Sequence, residues 1–386
     1  MRSISVLCLI LLSLPRISVA AKLPADLEQN LQLMTNGQLL EAHSGFQKIH
    51  EQRPENVPAA FLLALSKWKM MWLSTYNQTD RQNLVELLDQ VDLLCEPEMD
   101  QDLDLLFYHA SVFGIRSQLA ATENQWWETA QLGRKMKNEA QKVYHKDPEY
   151  YPAYYLLGSY NYFADALPGY LKFLRTFAFL PGGDRIGGLK QLIVAYEKGE
   201  TVSSEAGRTL AMIYTYFEKR HDFGVQMCDT LLTQYPQAYD LGLYKGINLY
   251  FNKSFEKSVE WLQHERSQIR EYSQKHGSEQ ILPVYFPMER EVRYWIARNM
   301  IQLHRYSEAR ELLMDLTKPE IHQPWWLMRG VYLSLAQIEY QVDQREQAEK
   351  WLSIVLRWRD AKDSHDKSNL LRKKKGKVDL FDLDML

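Results

Sequence analysis

The sequence predicts an all-α chain built from repeated helical hairpins. Three observations carry this. Long stretches place apolar residues at i, i+3, i+4 and i+7, and no run alternates as a half-buried strand would. Small residues recur 12 apart, Ala297 with Ala309 and Ala336 with Ala348, and Leu313 and Leu352 each follow the second alanine by four. Over 386 residues the composition is 46% hydrophobic and 25% charged, the balance of a chain that buries a core.

The first element is an address. Residues 1–20 hold Arg2, a continuous apolar stretch from Ile4 to Leu14, a breaking Pro15, and small residues Ser18 and Ala20 at −3 and −1 of a cleavage site. This is the pattern of a secretory signal peptide removed after Ala20. The apolar run is shorter than the roughly 20 residues that span a bilayer, so an uncleaved anchor fits less well. Cys8 leaves with the signal. Cys95 and Cys228 remain, and read either as two buried free thiols or, in an oxidising compartment, as a disulfide.

The helical region follows. Its expected divisions are an N-terminal region at 21–148, aromatic-rich middle helices at 149–204, and a C-terminal array at 205–360. Within it, Gly37, Ala42, Phe46, Ile49 and Pro54 are spaced 5, 4, 3 and 5. A similar order recurs in Gly246, Tyr250, Phe255, Ser258 and Leu262, preceded by Ala211, Tyr214, Gly224, Cys228, Leu231 and Pro236. Small residues 12 apart let two helices of a hairpin cross closely. The aromatic or leucine four later fills the space beside them, and a proline ends the second helix.

These residues resemble the tetratricopeptide repeat, a helix-turn-helix unit of about 34 residues. The units lie at 23–56, 205–238, 239–272, 290–323 and 329–362, with a degenerate one ending at Met136, Ala140, Val143 and Pro148. The resemblance implies a right-handed α-α superhelical solenoid. It also implies a binding surface along the first helices of the units, at their positions 2, 5, 9, 12 and 13. On that reading Tyr216, Tyr250, Tyr294, Arg298, Gln302, Gln337 and Tyr340 are the partner-binding residues. Tyrosine, arginine and glutamine suit peptide main chain and carboxylates, although several of these tyrosines also suit packing between repeats. The expected partner is a protein or peptide.

The middle carries a different block. Leu180-Pro181-Gly182-Gly183-Asp184-Arg185 is followed by Gly187, Gly188 and Leu189. Pro181-Gly182-Gly183 reads as a turn and Asp184 as an N-cap. The block resembles one in exported bacterial repeat proteins. More distantly it is similar to the Iml-type outer-membrane and tetratricopeptide-repeat-39 family, at Gly183, Asp184, Arg185, Gly188 and Leu189. That likeness implies a scaffold near a membrane and no catalysis. Residues 168–180 are apolar with Lys172 and Arg175, which makes contact with a membrane surface the alternative to protein binding.

Other chemistries are absent from the pattern. A net charge of −3 argues against nucleic-acid binding. The glycine block lacks the Gly-Lys-Ser/Thr of a phosphate loop, since Lys190 follows Leu189. Asp100, Asp102 and Asp104 begin like a calcium loop, but Leu105 and Ser111 stand where glycine and glutamate are needed, so Asp102 or Asp104 reads as a helix cap. His264-Glu265 lacks a second histidine, and no Gly-x-Ser-x-Gly occurs. No cofactor, metal, small-molecule substrate or enzymatic activity is expected; an enzyme on a helical toroid is the most distant reading. The tail at 361–386 has basic Arg372 to Lys377, then alternating acidic and apolar residues. It is expected to be disordered, or else to dock on a partner or on the chain's own groove. The expected place of the protein is the envelope of a Gram-negative-type bacterium.

Overall fold

The computed structural model describes residues 22–73, 78–96, 101–166, 182–275, 278–318, 325–360 and 363–383. The signal-like residues 1–20, the segment 168–180 and the turn residue Pro181 lie outside them. The described residues are helical, without a strand. Their contacts define two compact units, residues 98–203 and residues 24–97 with 204–386. The expected boundary at 148/149 falls inside the first of these, and the region expected at 21–148 is divided between the two.

The unit at 98–203 holds α1 (Leu103–Thr122), α2 (Trp126–Lys146), α3 (Pro152–Ala166) and α4 (Arg185–Lys198). Asp102 caps α1, accepting from the amides of Asp104 at 2.7 Å and Leu105 at 3.3 Å. Asp184 caps α4 by accepting from the amide of Gly187 at 2.9 Å. Helices α3 and α4 touch through backbone. A Cβ on Gly188 would lie 2.5 Å from the Tyr162 nitrogen, and one on Gly183 would lie 2.3 Å from the Asn161 oxygen. The glycine block is thus a helix-crossing device, and Arg185 lies over the ring of Tyr162 at 5.7 Å.

The other unit begins with α5 (Ala25–Thr35), α6 (Leu39–Gln52), α7 (Val57–Leu73) and α8 (Gln78–Cys95). It continues with α9 (Ser203–Tyr216), α10 (His221–Gln234), α11 (Tyr239–Phe251), α12 (Phe255–Lys275), α13 (Ser278–Gln302), α14 (Tyr306–Leu316), α15 (Trp325–Gln341), α16 (Arg345–Arg357) and α17 (Ser364–Lys373). Successive helices pair as hairpins. The turns between paired helices repeat one geometry. Gly37, Lys219, Lys253, His304 and Asp343 all have positive φ, and each is the fifteenth residue of its unit. The following amide reaches back across the turn in most of them: Gln38 to the Leu33 oxygen at 2.9 Å, Ser254 to Leu249 at 2.9 Å, Arg305 to Met300 at 2.8 Å, and Gln344 to Glu339 at 2.7 Å. This left-handed end satisfies carbonyls that the helix leaves open.

The 12-residue spacing has a visible cause. Ala297, Ala309, Ala336 and Ala348 are all fully buried at helix crossings. Ser258, 12 after Gly246, donates its hydroxyl to the Gly246 oxygen at 2.7 Å, and a Cβ on Gly246 would lie 2.2 Å from Leu262. The first hairpins are held by long-range polar contacts. Arg208 on α9 donates to Asp240 and to the Thr35 oxygen. The Gln237 amide donates to Asn36 at 3.0 Å, Tyr272 donates to Glu41, and Lys69 pairs with Glu205 at 2.7 Å. Helix α7 packs on α13.

The tail is not a disordered end. Residues 364–373 form α17, which packs on α15 and α16 because Leu371 is wholly buried there. Lys375 and Gly376 then turn the chain back, with φ of 50° and 78°.

Candidate functional site

The first-helix positions named from the sequence fall into two environments. Along α11 and α13 they are interior. Arg298 and Tyr250 are both 0% exposed, and Tyr294 is buried as well. The Arg298 guanidinium donates to the Tyr250 hydroxyl at 3.0 Å and lies 3.5 Å from Ser334, so it ties α13 to the first helices of both neighbouring repeats. It also sits 5.7 Å from the Tyr250 ring centre and 6.0 Å from that of Tyr294. Trp295 packs edge-on against Tyr250, centres 5.3 Å apart. Gln302, half-buried, reaches the same hydroxyl at 3.5 Å. Here the expected contact set is corrected: Tyr250, Tyr294 and Arg298 join repeats to one another and present nothing to a partner. Alanine at Arg298 would therefore strike the fold before it struck capture.

The interior is desolvated throughout this region. Glu265 on α12, 3% exposed, faces Gly242, whose added Cβ would lie 2.2 Å from the carboxylate. Burial pushes its carboxyl up to about 7, with Lys245 opposing and Asp240 adding to the rise. Tyr216 is half-buried on α9, edge-on to Tyr244 at 5.6 Å, and burial followed by the charge of Glu291 raises its hydroxyl well above the ordinary tyrosine value.

At α15 the same positions meet the chain's own tail. Gln337 donates its amide to the Val378 oxygen at 3.2 Å, and Gln341 donates to the Gly376 oxygen at 2.9 Å. Between them lies Tyr340, half-buried, whose hydroxyl donates to Glu349; burial and then that carboxylate push it up to about 12. Arg372 of α17 pairs with the same Glu349 at 2.7 Å. A Cβ on Gly376 would lie 2.3 Å from the Tyr340 Cβ, so the tail approaches as glycine alone allows. Farther on, Leu383 is fully buried. Gln341 was not among the residues named from the sequence. It stands at the thirteenth place of its unit, the place that Gln302 holds in the preceding one, and that periodicity was signal enough to find it.

The remaining candidates resolve simply. Gly183, Asp184 and Gly188 shape and cap the α4 start, Arg185 lies over Tyr162, and Gly182 precedes them in the chain. Cys95 and Cys228 are buried free thiols. Among the described residues no group of His, Cys, Asp and Glu could hold a metal ion, and no helix is long and apolar enough to cross a membrane.

No family profile matches the chain, and no curated protein matches it in sequence. Among solved structures, a tetratricopeptide repeat protein from Parabacteroides merdae is similar at 12% identity and a TM-score of 0.37, covering 80% of this chain and 97% of that one. The human IFIT1 dimer with m7Gppp-AAAA is similar at 15% identity and a TM-score of 0.41, covering 95% and 86%. The tetratricopeptide domain of P58(IPK) is similar at 15% identity and a TM-score of 0.22, covering 92% and 99%. The repeat architecture of this chain rests on its own hairpin geometry.

Proposed function

We propose that this chain is a non-catalytic interaction scaffold, exported to a bacterial cell envelope, that holds a protein or peptide on the first-helix face of its C-terminal repeats. One observation supports this above the others. Helix α15 offers two side-chain amides to main-chain carbonyls of an adjoining stretch of chain, which is how a helix grips a peptide irrespective of its side chains. The envelope setting rests on the signal-like residues 1–20 and on the likeness of the Gly-Gly-Asp-Arg block to exported repeat proteins. Crosslinking in cells, followed by capture of the full chain from soluble and membrane fractions, tests it. One or a few envelope proteins should be recovered, and lost when Gln337 and Gln341 are both changed to alanine. Equal recovery by the double variant would sink this face as the binding site. Recovery of cytoplasmic proteins alone would sink the setting.

Contact with a membrane surface is the second reading. It rests on the apolar sequence of residues 168–180 with Lys172 and Arg175. Flotation of the full chain with anionic liposomes reads it directly; absence from the floating fraction removes it.

A further inference from the structure

Residues 376–378 lie where a partner would lie on the reading above. The match is metric. Residues four apart on a helix are about 6 Å apart along its axis. Carbonyls two residues apart in open chain are separated by up to about 6.6 Å. The Val378 amide, which donates to the Gly376 oxygen at 2.9 Å, draws that step in slightly. Gln337 and Gln341 therefore fall in register with the oxygens of Val378 and Gly376. The Lys377 side chain is exposed. Leu383, seven residues after Gly376, is fully buried. The fit is incomplete in one respect: the Gln337 Oε1 is buried and has no hydrogen-bond partner among the described residues.

We propose that the α15 face is a peptide-reading site whose resting occupant is the chain's own residues 376–383, displaced by a partner segment of the same kind. That segment is open-chain, read through its carbonyls at Gln337 and Gln341, and anchored by a leucine. The proposal deepens the scaffold reading and rests on it. A partner that also presents an N–H to Gln337 Oε1 completes the amide that the tail leaves half used, which is why exchange favours the partner.

The probe is a fluorescently labelled peptide with the sequence of residues 376–383. The full chain carrying Gly376→Val should bind it at least about tenfold more tightly than the unaltered chain, because the valine side chain and its strained φ eject the tail. Adding Gln337→Ala and Gln341→Ala should remove that binding, as should aspartate at the peptide's terminal leucine. A Gly376→Val chain with unchanged helical circular dichroism that binds no better than the unaltered chain overturns the proposal. Should that variant fail to fold, trypsin decides. Cleavage after Lys377 should quicken roughly tenfold in the Gln337→Ala/Gln341→Ala chain, and an unchanged rate overturns the proposal as well. Failure here alongside partner capture that still depends on the two glutamines would leave the scaffold standing without a self-occupied site. Peptide binding with no partner recovered from cells would leave the docked tail and remove the scaffold.

Discussion

The ninth residue of the repeat unit is Arg298 in one repeat and Gln337 in the next, and both are buried, but by different things. Arg298 is enclosed by neighbouring first helices, with its guanidinium shared between Tyr250 and Ser334. Gln337 is covered by a short stretch of chain near the C-terminus. Removing the cover from the first means separating repeats. Removing it from the second means letting go of a tail held at α15 by two amide hydrogen bonds. Equivalent positions in a repeat array are thus unequal in availability, and what decides is the element that follows in space, not the residue.

That contrast can be broken by mutation. Arg298→Ala removes the guanidinium that joins Tyr250 to Ser334 and opens a void, so it should lower the unfolding free energy in urea by about 3–5 kcal/mol. A loss below about 1 kcal/mol would mean that this region is open to solvent, and the two sites would cease to differ.

Glu265 tests the same interior by pH. Its folded pKa of about 7 lies above the ordinary value of 4.5, so the folded state holds the proton more tightly. Stability from this group is therefore intact below about 4.5 and falls as pH rises toward 7. At pH 8 Glu265→Gln should be the more stable chain by about 2–3 kcal/mol, with a flatter slope between these limits. An unchanged slope would show a wet seam between α11 and α12. His43 works in the opposite sense. Burial foremost, then Lys67, lowers it to about 4, with Asp80 opposing, so its contribution is lost as pH falls below 6.5.

Changing Gln337 and Gln341 together to alanine should cost only about 1–2 kcal/mol, since each amide makes one bond at a rim or under a thin cover. A cost approaching that of Arg298→Ala would make the tail part of the core. The smallest effect belongs to the turns. Lys253 holds a positive φ of 60° that glycine adopts without penalty, so Lys253→Gly should raise stability by about 0.5 kcal/mol, the relief of strain exceeding the added freedom of the unfolded chain.

Local chemistry was legible without the fold. Hairpin periodicity, the small pairs at Ala297/Ala309 and Ala336/Ala348, and the caps at Asp102 and Asp184 depend on residues within one or two turns of each other. Each follows from helix geometry, side-chain volume or a short side chain's reach to nearby amides. Tertiary structure alone decided which face of each helix was left over. The seating of α5–α7 against α9–α13 joins residues some 200 apart, as in the bond between Asn36 and Gln237, and no local pattern encodes such a partner. It likewise decided that a basic-acidic tail would fold into α17 and return over Gln337. The sequence by itself determined the helices and their pairing, because those interactions close over short loops. Availability of a side chain is a property of everything packed around it, and only the assembled chain settles that.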